Sequence, residues 1–345
     1  MTKKSSPKLK MPTMYDVAKL AGVSQPTVSR VLNQNDTTVQ ISAETRQRVL
    51  AAVEELGYRP NILARSLRTQ RTQTVALLIA DLSNAFYHIM ARAVQDVARE
   101  HNYEVMISNS DHIYENEKHF CDVVSRRLVD GVMMVPIHLT VEDLDEFLTT
   151  TNIPVTTLGG HLEHPFIDTV HVDDGKASYE AVRWLVEERG YQSVGYIGVN
   201  DNLPPNPRRY RGYTQALHDC GLNIDPRFVL RGDFSLESGV QAARELLQIG
   251  ELPRALYVIN DLMAIGVLLT LQEAGVRVPE DVAILGFDNI WETEIVRPKL
   301  TTIAQDPRDI GRLLAEALFE RIENPNILQR REFESKYELI IRDSA

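Results

Sequence analysis

Residues 14–33 read Met-Tyr-Asp-Val-Ala-Lys-Leu-Ala-Gly-Val-Ser-Gln-Pro-Thr-Val-Ser-Arg-Val-Leu-Asn, and this stretch constrains the chain more than any other. Apolar residues Val17, Ala18 and Ala21, then Val28, Val31 and Leu32, recur at helical spacing on either side of Gly22, where the chain must turn sharply. The pattern predicts two short helices around a tight turn. Ser24 is the natural N-cap of the second, and Pro26 falls in its first turn, where a missing amide costs little. Burying the apolar face leaves Gln25, Pro26, Thr27, Ser29 and Arg30 largely outside. A helix with a polar leading face and unpaired first-turn amides is a shape that enters a DNA major groove and meets phosphate. Arg30 lies one turn beyond Pro26 on the same side, with two donors for guanine O6 and N7. One such contact discriminates by about 1–3 kcal/mol per base pair.

Charge sets this end apart. Residues 1–73 carry five Lys and seven Arg against two Asp and three Glu, a formal +7, which leaves −18 on the remainder of a chain whose net charge is −11. So acidic a remainder is a poor general polyanion binder, which confines nucleic-acid contact to the front. Residues 1–11, with Lys3, Lys4, Lys8 and Lys10, read as a basic, disordered tail. Ser42 caps a third helix that carries Val49, Ala52, Val53 and Leu56 and stops at Gly57, the lid a two-helix motif needs for a core. Residues 62–68 can form only a short helix that would not persist alone in water, so it folds when DNA or a partner copy holds it. No apolar run reaches membrane-spanning length and the start lacks the apolar core of a secretory signal. A cytoplasmic, nucleoid-associated protein without membrane contact is expected. Cys121 and Cys220 lie far apart inside helical patterns and read as reduced structural residues.

Past residue 73 the grammar changes. Apolar runs at 74–80, 104–108, 131–135 and 154–158 alternate with helical patterns at 86–101, 116–128 and 141–148. The alternation then repeats, with strand-like runs at 193–198, 228–230, 255–259 and 282–287 and helices opening at Gly175, Arg208, Leu236 and Leu262. Repeated βα units build parallel sheets buried on both faces. Roughly 270 residues exceed one comfortable core, so two α/β lobes with a cleft between them are expected. Binding residues should gather at the carboxyl ends of the strands. No Gly-rich dinucleotide fingerprint, phosphate loop or nucleophile elbow follows a strand, which argues against an enzyme; no catalytic residue and no cofactor are assigned. No metal site is assigned either, because His161, His164 and His171 lack regular ligand spacing and read as exposed loop histidines. A transport-associated binding protein is disfavoured by the DNA-reading front.

Taken together, these motifs resemble the lactose repressor/galactose repressor family of bacterial transcription regulators, over residues 13–342. The front carries Asp-Val-Ala-Lys-Leu-Ala-Gly-Val-Ser at 16–24, Thr-Val-Ser-Arg-Val-Leu-Asn at 27–33, and Gly57-Tyr58-Arg59-Pro60-Asn61 with Ala64-Arg65-Ser66-Leu67. The rear carries Gly266, Val278-Pro279-Glu280-Asp281-Val282, Gly286-Phe287-Asp288 and Leu300-Thr301-Thr302-Ile303. The resemblance implies an all-α helix-turn-helix domain over 12–59, a hinge helix and linker over 60–73, and a two-lobed α/β periplasmic-binding-protein-like domain with parallel sheets over 74–345. Its N-lobe would take about 74–170 and 301–333 and its C-lobe about 171–300 and 334–345, with crossovers near 170, 300 and 335.

The same resemblance implies a homodimer on a roughly palindromic double-stranded operator. Gln25, Pro26 and Arg30 would meet base edges, with Ser24, Thr27 and Ser29 near the backbone. The hinge helix would lie in the minor groove, Leu67 wedged into the central base step and Arg65 and Arg68 on adjacent phosphates. An apolar lever can open a pyrimidine–purine step at a cost of a few kcal/mol, recovered through added contacts. The chain ends soon after Tyr337-Glu338-Leu339-Ile340-Ile341, so a dimer is expected rather than a tetramer, with helices around 86–97 and 264–271 as candidate faces.

For a small-molecule effector, the resemblance implies Asn84, Phe86 and Tyr87 after the first strand, although Ala85 stands where proline is common. It implies Arg209 as a clamping arginine, Phe234 as an aromatic wall, Asn260, Asp288 and Gln305 as polar contacts, and Asp111 and Trp291 at the rim. Such a set suits a sugar or sugar derivative, because aromatic faces cover C–H surfaces while Arg and Asp make directional bonds to hydroxyls. Plainer readings stay open: Phe86 and Phe234 as core, Asp288 as a helix cap, Arg209 as surface charge. The departure is Gly159-Gly160-His161, where many relatives carry an Asp-Arg pair near the end of the fourth strand. Space released by glycine would admit a disaccharide or sugar acid, or mark a pocket without an effector. A nucleoside or a protein coregulator is the alternative. Function would then be coupling: a ligand that favours one lobe angle changes hinge-helix pairing and operator affinity, and release from DNA is the commoner family outcome for sugars.

Overall fold

The computed structural model describes residues 12–32, 41–59, 71–126 and 129–345. The basic tail, Asn33 and the hinge segment with Arg65, Leu67 and Arg68 lie outside the described residues. The chain divides into two compact units, Met1–Thr72 and Gln73–Ala345.

In the first unit, α1 spans Met14–Ala21, α2 Gln25–Leu32 and α3 Ala43–Leu56. A capping box starts α1: the Asp16 amide donates to Thr13 Oγ1 and the Thr13 amide donates to Asp16 Oδ2 at 2.8 Å, pairing two amides that a helix start leaves open. Ser24 and Ser42 accept from the amides of Thr27 and Thr45 at 3.3 and 3.2 Å, as the sequence predicts. Val17, Val28, Val31, Val49 and Ala52 close a small core, which Tyr58 completes from beyond the end of α3. Gln25 and Pro26 stand on the exposed side and Arg30 is half-buried. Ser29 corrects the sequence expectation: it is buried, adjacent to Val28 on the inner side of α2.

The second unit holds two six-stranded sheets. The first runs in the order β11 (Glu332–Glu334), β5 (Asp168–His171), β4 (Val155–Leu158), β3 (Gly131–Met134), β1 (Thr74–Ile79) and β2 (Glu104–Asn109), all parallel. The second runs β12 (Tyr337–Ile340), β10 (Thr301–Gln305), β9 (Ala283–Asp288), β8 (Ala255–Val258), β6 (Val194–Val199) and β7 (Val229–Gly232), parallel except where β12 pairs antiparallel to β10. Strands β3, β6, β8 and β9 are buried along their whole length, the burial that continuous apolar runs anticipate.

Helices α4 (Ala85–Glu100), α5 (Tyr114–Arg126), α6 (Val141–Thr151) and α11 (Pro307–Glu323) cover the first sheet. Helices α7 (Asp174–Glu187), α8 (Asn206–Asp219), α9 (Leu236–Ile249) and α10 (Asp261–Glu273) cover the second. The chain crosses between lobes after β5, after β10 and between β11 and β12. The lobe boundary expected at residue 301 therefore moves: β10 pairs with β9 through Thr301↔Leu285 to Ala304↔Asp288, and the chain re-enters the first lobe only with α11. Near the first crossing, buried Asp168 is held by Arg321 at 2.6 Å and Arg331 at 2.7 Å, and these guanidinium groups hold its carboxyl below the usual range. That arrangement ties the start of β5 to α11 and to the approach to β11.

Candidate functional site

The loops after the strands of both sheets converge on one cleft. It encloses about 760 Å³ of non-atom space, its solvent mouth included. Of the ten residues expected there, Asn84, Phe86, Tyr87, Arg209, Phe234, Asn260, Asp288 and Gln305 all line it. Seven of them lie at or after a strand end, and Arg209 lies in the first turn of α8. Asn84 follows β1 and caps α4, accepting from the Phe86 amide at 2.9 Å, which sets Phe86 and Tyr87 edge to face at 5.2 Å. Asn260 follows β8 and caps α10, accepting from the Met263 amide at 2.9 Å while its Nδ2 donates to the Phe234 carbonyl at 2.9 Å. That bond helps hold Phe234, whose φ of 75° is unusual for an aromatic residue. Phe86 is 6 % exposed and also belongs to the core, so both readings of it hold.

Charge is concentrated around Arg209. Its guanidinium lies 3.4 Å from the centre of the Phe287 ring, donates to the Ile259 carbonyl, and stands 3.6 Å from Asp174 and 4.0 Å from Asp288. Arg208 makes a two-toothed pair with Asp174 at 2.7 and 3.0 Å. Asp288 ends β9 and accepts from Gln305 Nε2 at 2.7 Å. Burial pushes its carboxyl up to about 6, against the opposing pull of Arg209 and Gln305.

Two expected rim residues fall outside the lining. Trp291 is 56 % exposed, and Asp111 is exposed and accepts from Asn109 Nδ2. The neighbour His112 lines the cleft instead, stacking on Phe234 at 5.0 Å and so joining the two lobes. Burial lowers its imidazole from the ordinary value. Sequence reading also missed Arg208 and its counter-ion Asp174, for which an acidic residue opening the helix after a strand was the available signal. It missed Glu117, fully buried on α5, which accepts from the amides of Ile137, His138 and Leu139 at 2.9, 3.0 and 2.9 Å and so fixes the wall beyond β3.

The histidines after β4 need correction. His164 is buried, 2.8 Å from Asp145, rather than exposed. His161 lines the cleft, and its ring lies over Gly159, where a Cβ would come 3.2 Å from Nδ1. The room made by glycine is thus taken in part by an imidazole. Among the described residues, no cluster of three or more His, Cys, Asp or Glu is placed to hold a metal ion, and no helix is long and apolar enough to cross a membrane.

Residues 13–61 match the family described as bacterial regulatory proteins, lacI family, and residues 182–345 match the periplasmic binding protein-like domain. Over 322 residues the chain is 35% identical to catabolite control protein A of Priestia megaterium, covering 92% of this chain and 96% of that one. The chain belongs to the lacI family of bacterial regulatory proteins. It is also 34% identical to the HTH-type transcriptional repressor CytR of Escherichia coli K12, with 91% of each covered. Among solved structures it is similar to the Lac repressor bound to ONPG in the repressed state, at a TM-score of 0.85 and 27% identity over 97% of this chain and all (100%) of that one. It is similar as well to the transcriptional regulator CelR in complex with cellobiose, at 0.72 and 30% over the same shares, 97% and 100%. As a family member the chain is a DNA-binding transcriptional regulator, and these relatives are regulators rather than enzymes.

Proposed function

We propose that this protein is an operator-binding repressor, acting as a homodimer in the cytoplasmic nucleoid, whose DNA affinity is set by a sugar-class effector seated between the two lobes. The observation that carries this reading is the cleft lining: the aromatic side chains of Phe86 and Phe234 beside the Arg209–Asp288–Gln305 chain of polar groups. Such a surface matches the alternating C–H and hydroxyl faces of a sugar. A cellobiose-bound relative with the same fold supports it. The lobes contribute opposite walls, so a bound ligand favours one lobe angle and shifts the population that DNA selects. On the DNA side, Gln25, Pro26 and Arg30 lead α2 toward base edges while the Ser24 end meets phosphate; Arg65, Leu67 and Arg68, outside the described residues, take the expected hinge roles in the minor groove.

The test is calorimetric titration of the full chain with neutral sugars, sugar acids, sugar phosphates and nucleosides, followed by operator binding with each hit. A stoichiometric hit that changes operator affinity is the expected result. Silence across the panel from a protein that still binds its operator would overturn the reading in favour of a protein coregulator.

A further inference from the structure

We propose that His161 is the specificity-determining residue of this cleft, its ring nitrogens binding adjacent hydroxyl groups of an uncharged sugar. The inference rests on the sugar reading above and narrows it to neutral ligands. Both His161 nitrogens are shielded from solvent and neither has a hydrogen-bond partner in the ligand-free protein. An imidazole offers one donor and one acceptor when neutral, and leaving both unused in a polar cleft is a deficit that an entering ligand can correct.

The backbone builds the position for this ring. Gly159 sits at the end of β4 with its amide donating to the Val170 carbonyl at 2.8 Å and a φ of +100°, a conformation that other residues rarely adopt. Its bare Cα leaves the space in which the His161 ring lies. A side chain at 159 would meet the ring, so the glycine and the histidine act as one device.

Charge decides between neutral and acidic ligands. The cationic groups of the cleft, Arg208 and Arg209, are matched by the carboxylates Asp174 and Asp288. Arg209 Nε also lacks a hydrogen-bond partner, yet its guanidinium stands 3.6 Å from Asp174 and 4.0 Å from Asp288, so a carboxylate or phosphate entering here finds no net positive charge and would stand beside two acidic side chains. Burial and the nearby Arg208 also push His161 down to about 4, so it supplies no positive charge near neutral pH. Neutral hydroxyls, each able to donate and accept, meet every one of these groups.

The experiment titrates the full chain and its His161→Leu and His161→Gln variants with cellobiose, lactose, maltose, galactose and ribose, and with glucuronate, galacturonate and glucose 6-phosphate. At least one neutral sugar should bind the unmodified protein, more than tenfold weaker to His161→Leu, and recover in part with His161→Gln, which restores a donor and an acceptor. The melting temperature of ligand-free His161→Leu should hold or rise, because the imidazole has no partner to lose. A drop in that temperature would assign His161 a structural role and overturn the proposal. So would a neutral sugar that binds all three proteins alike. Binding of an acid or phosphate in preference to the neutral sugars would overturn it while leaving the sugar-class reading intact, whereas no binding by any compound would overturn both.

Discussion

Asp288 carries a pH signature that stability measurements can read. Its folded-state value of about 6 lies above the ordinary 3.8, so the folded protein holds this proton more tightly than the unfolded chain. The stability this carboxyl contributes is therefore fully present below about pH 4 and is lost as pH rises through about 6. In urea unfolding, the stability of the native protein minus that of Asp288→Asn should fall by on the order of 1–3 kcal/mol between pH 4.5 and 7.5. A difference that does not change with pH would contradict the burial argument. Single residues were legible in the sequence where a motif fixed their type and offset, as with Arg209, Asn260 and Asp288. They were illegible where only the path of a loop decides. Asp111 and His112 are neighbours, both at positive φ, and the turn sends His112 against Phe234 while Asp111 stays exposed. Ser29 was misplaced because an amphipathic pattern locates the centre of a buried face better than its edge.

At the scale of elements, the cleft depends on how closely helices pack. Gly212 on α8 meets α7 so tightly that a Cβ there would lie 2.2 Å from the Gly175 carbonyl oxygen and 2.9 Å from the Tyr179 amide nitrogen. Backbone cannot yield as a flexible side chain does, so Gly212→Ala must push α8 outward. Because α8 also carries Arg208 and Arg209, the change should cost roughly 1–3 kcal/mol of stability and weaken effector binding together. Thermal melts and calorimetry on one preparation would check both, and a loss of stability with intact ligand affinity would break the link between packing and cleft. Long βα repeats were readable because their strands are continuous apolar runs. The strands around the lobe crossings, β5, β10, β11 and β12, escaped notice because they are short or mixed in polarity: β5 is Asp-Thr-Val-His and β11 is Glu-Phe-Glu. Their pairing is set by same-lobe partners that lie far away in the sequence, including the Asp168–Arg321–Arg331 cluster, which no local pattern announces.

At the scale of the whole molecule, the positively charged front and the acidic body divide the work between DNA attraction and ligand recognition. In the proposed function the two are coupled through a population of lobe angles, and such coupling must be reciprocal. The most direct test measures the affinity of a sugar identified by the titrations above, once with the free protein and once with the protein saturated by operator. Its Kd should differ by the same factor, between about 5- and 150-fold, by which that sugar changes the operator Kd. Equal sugar affinity on and off the operator would contradict an allosteric repressor.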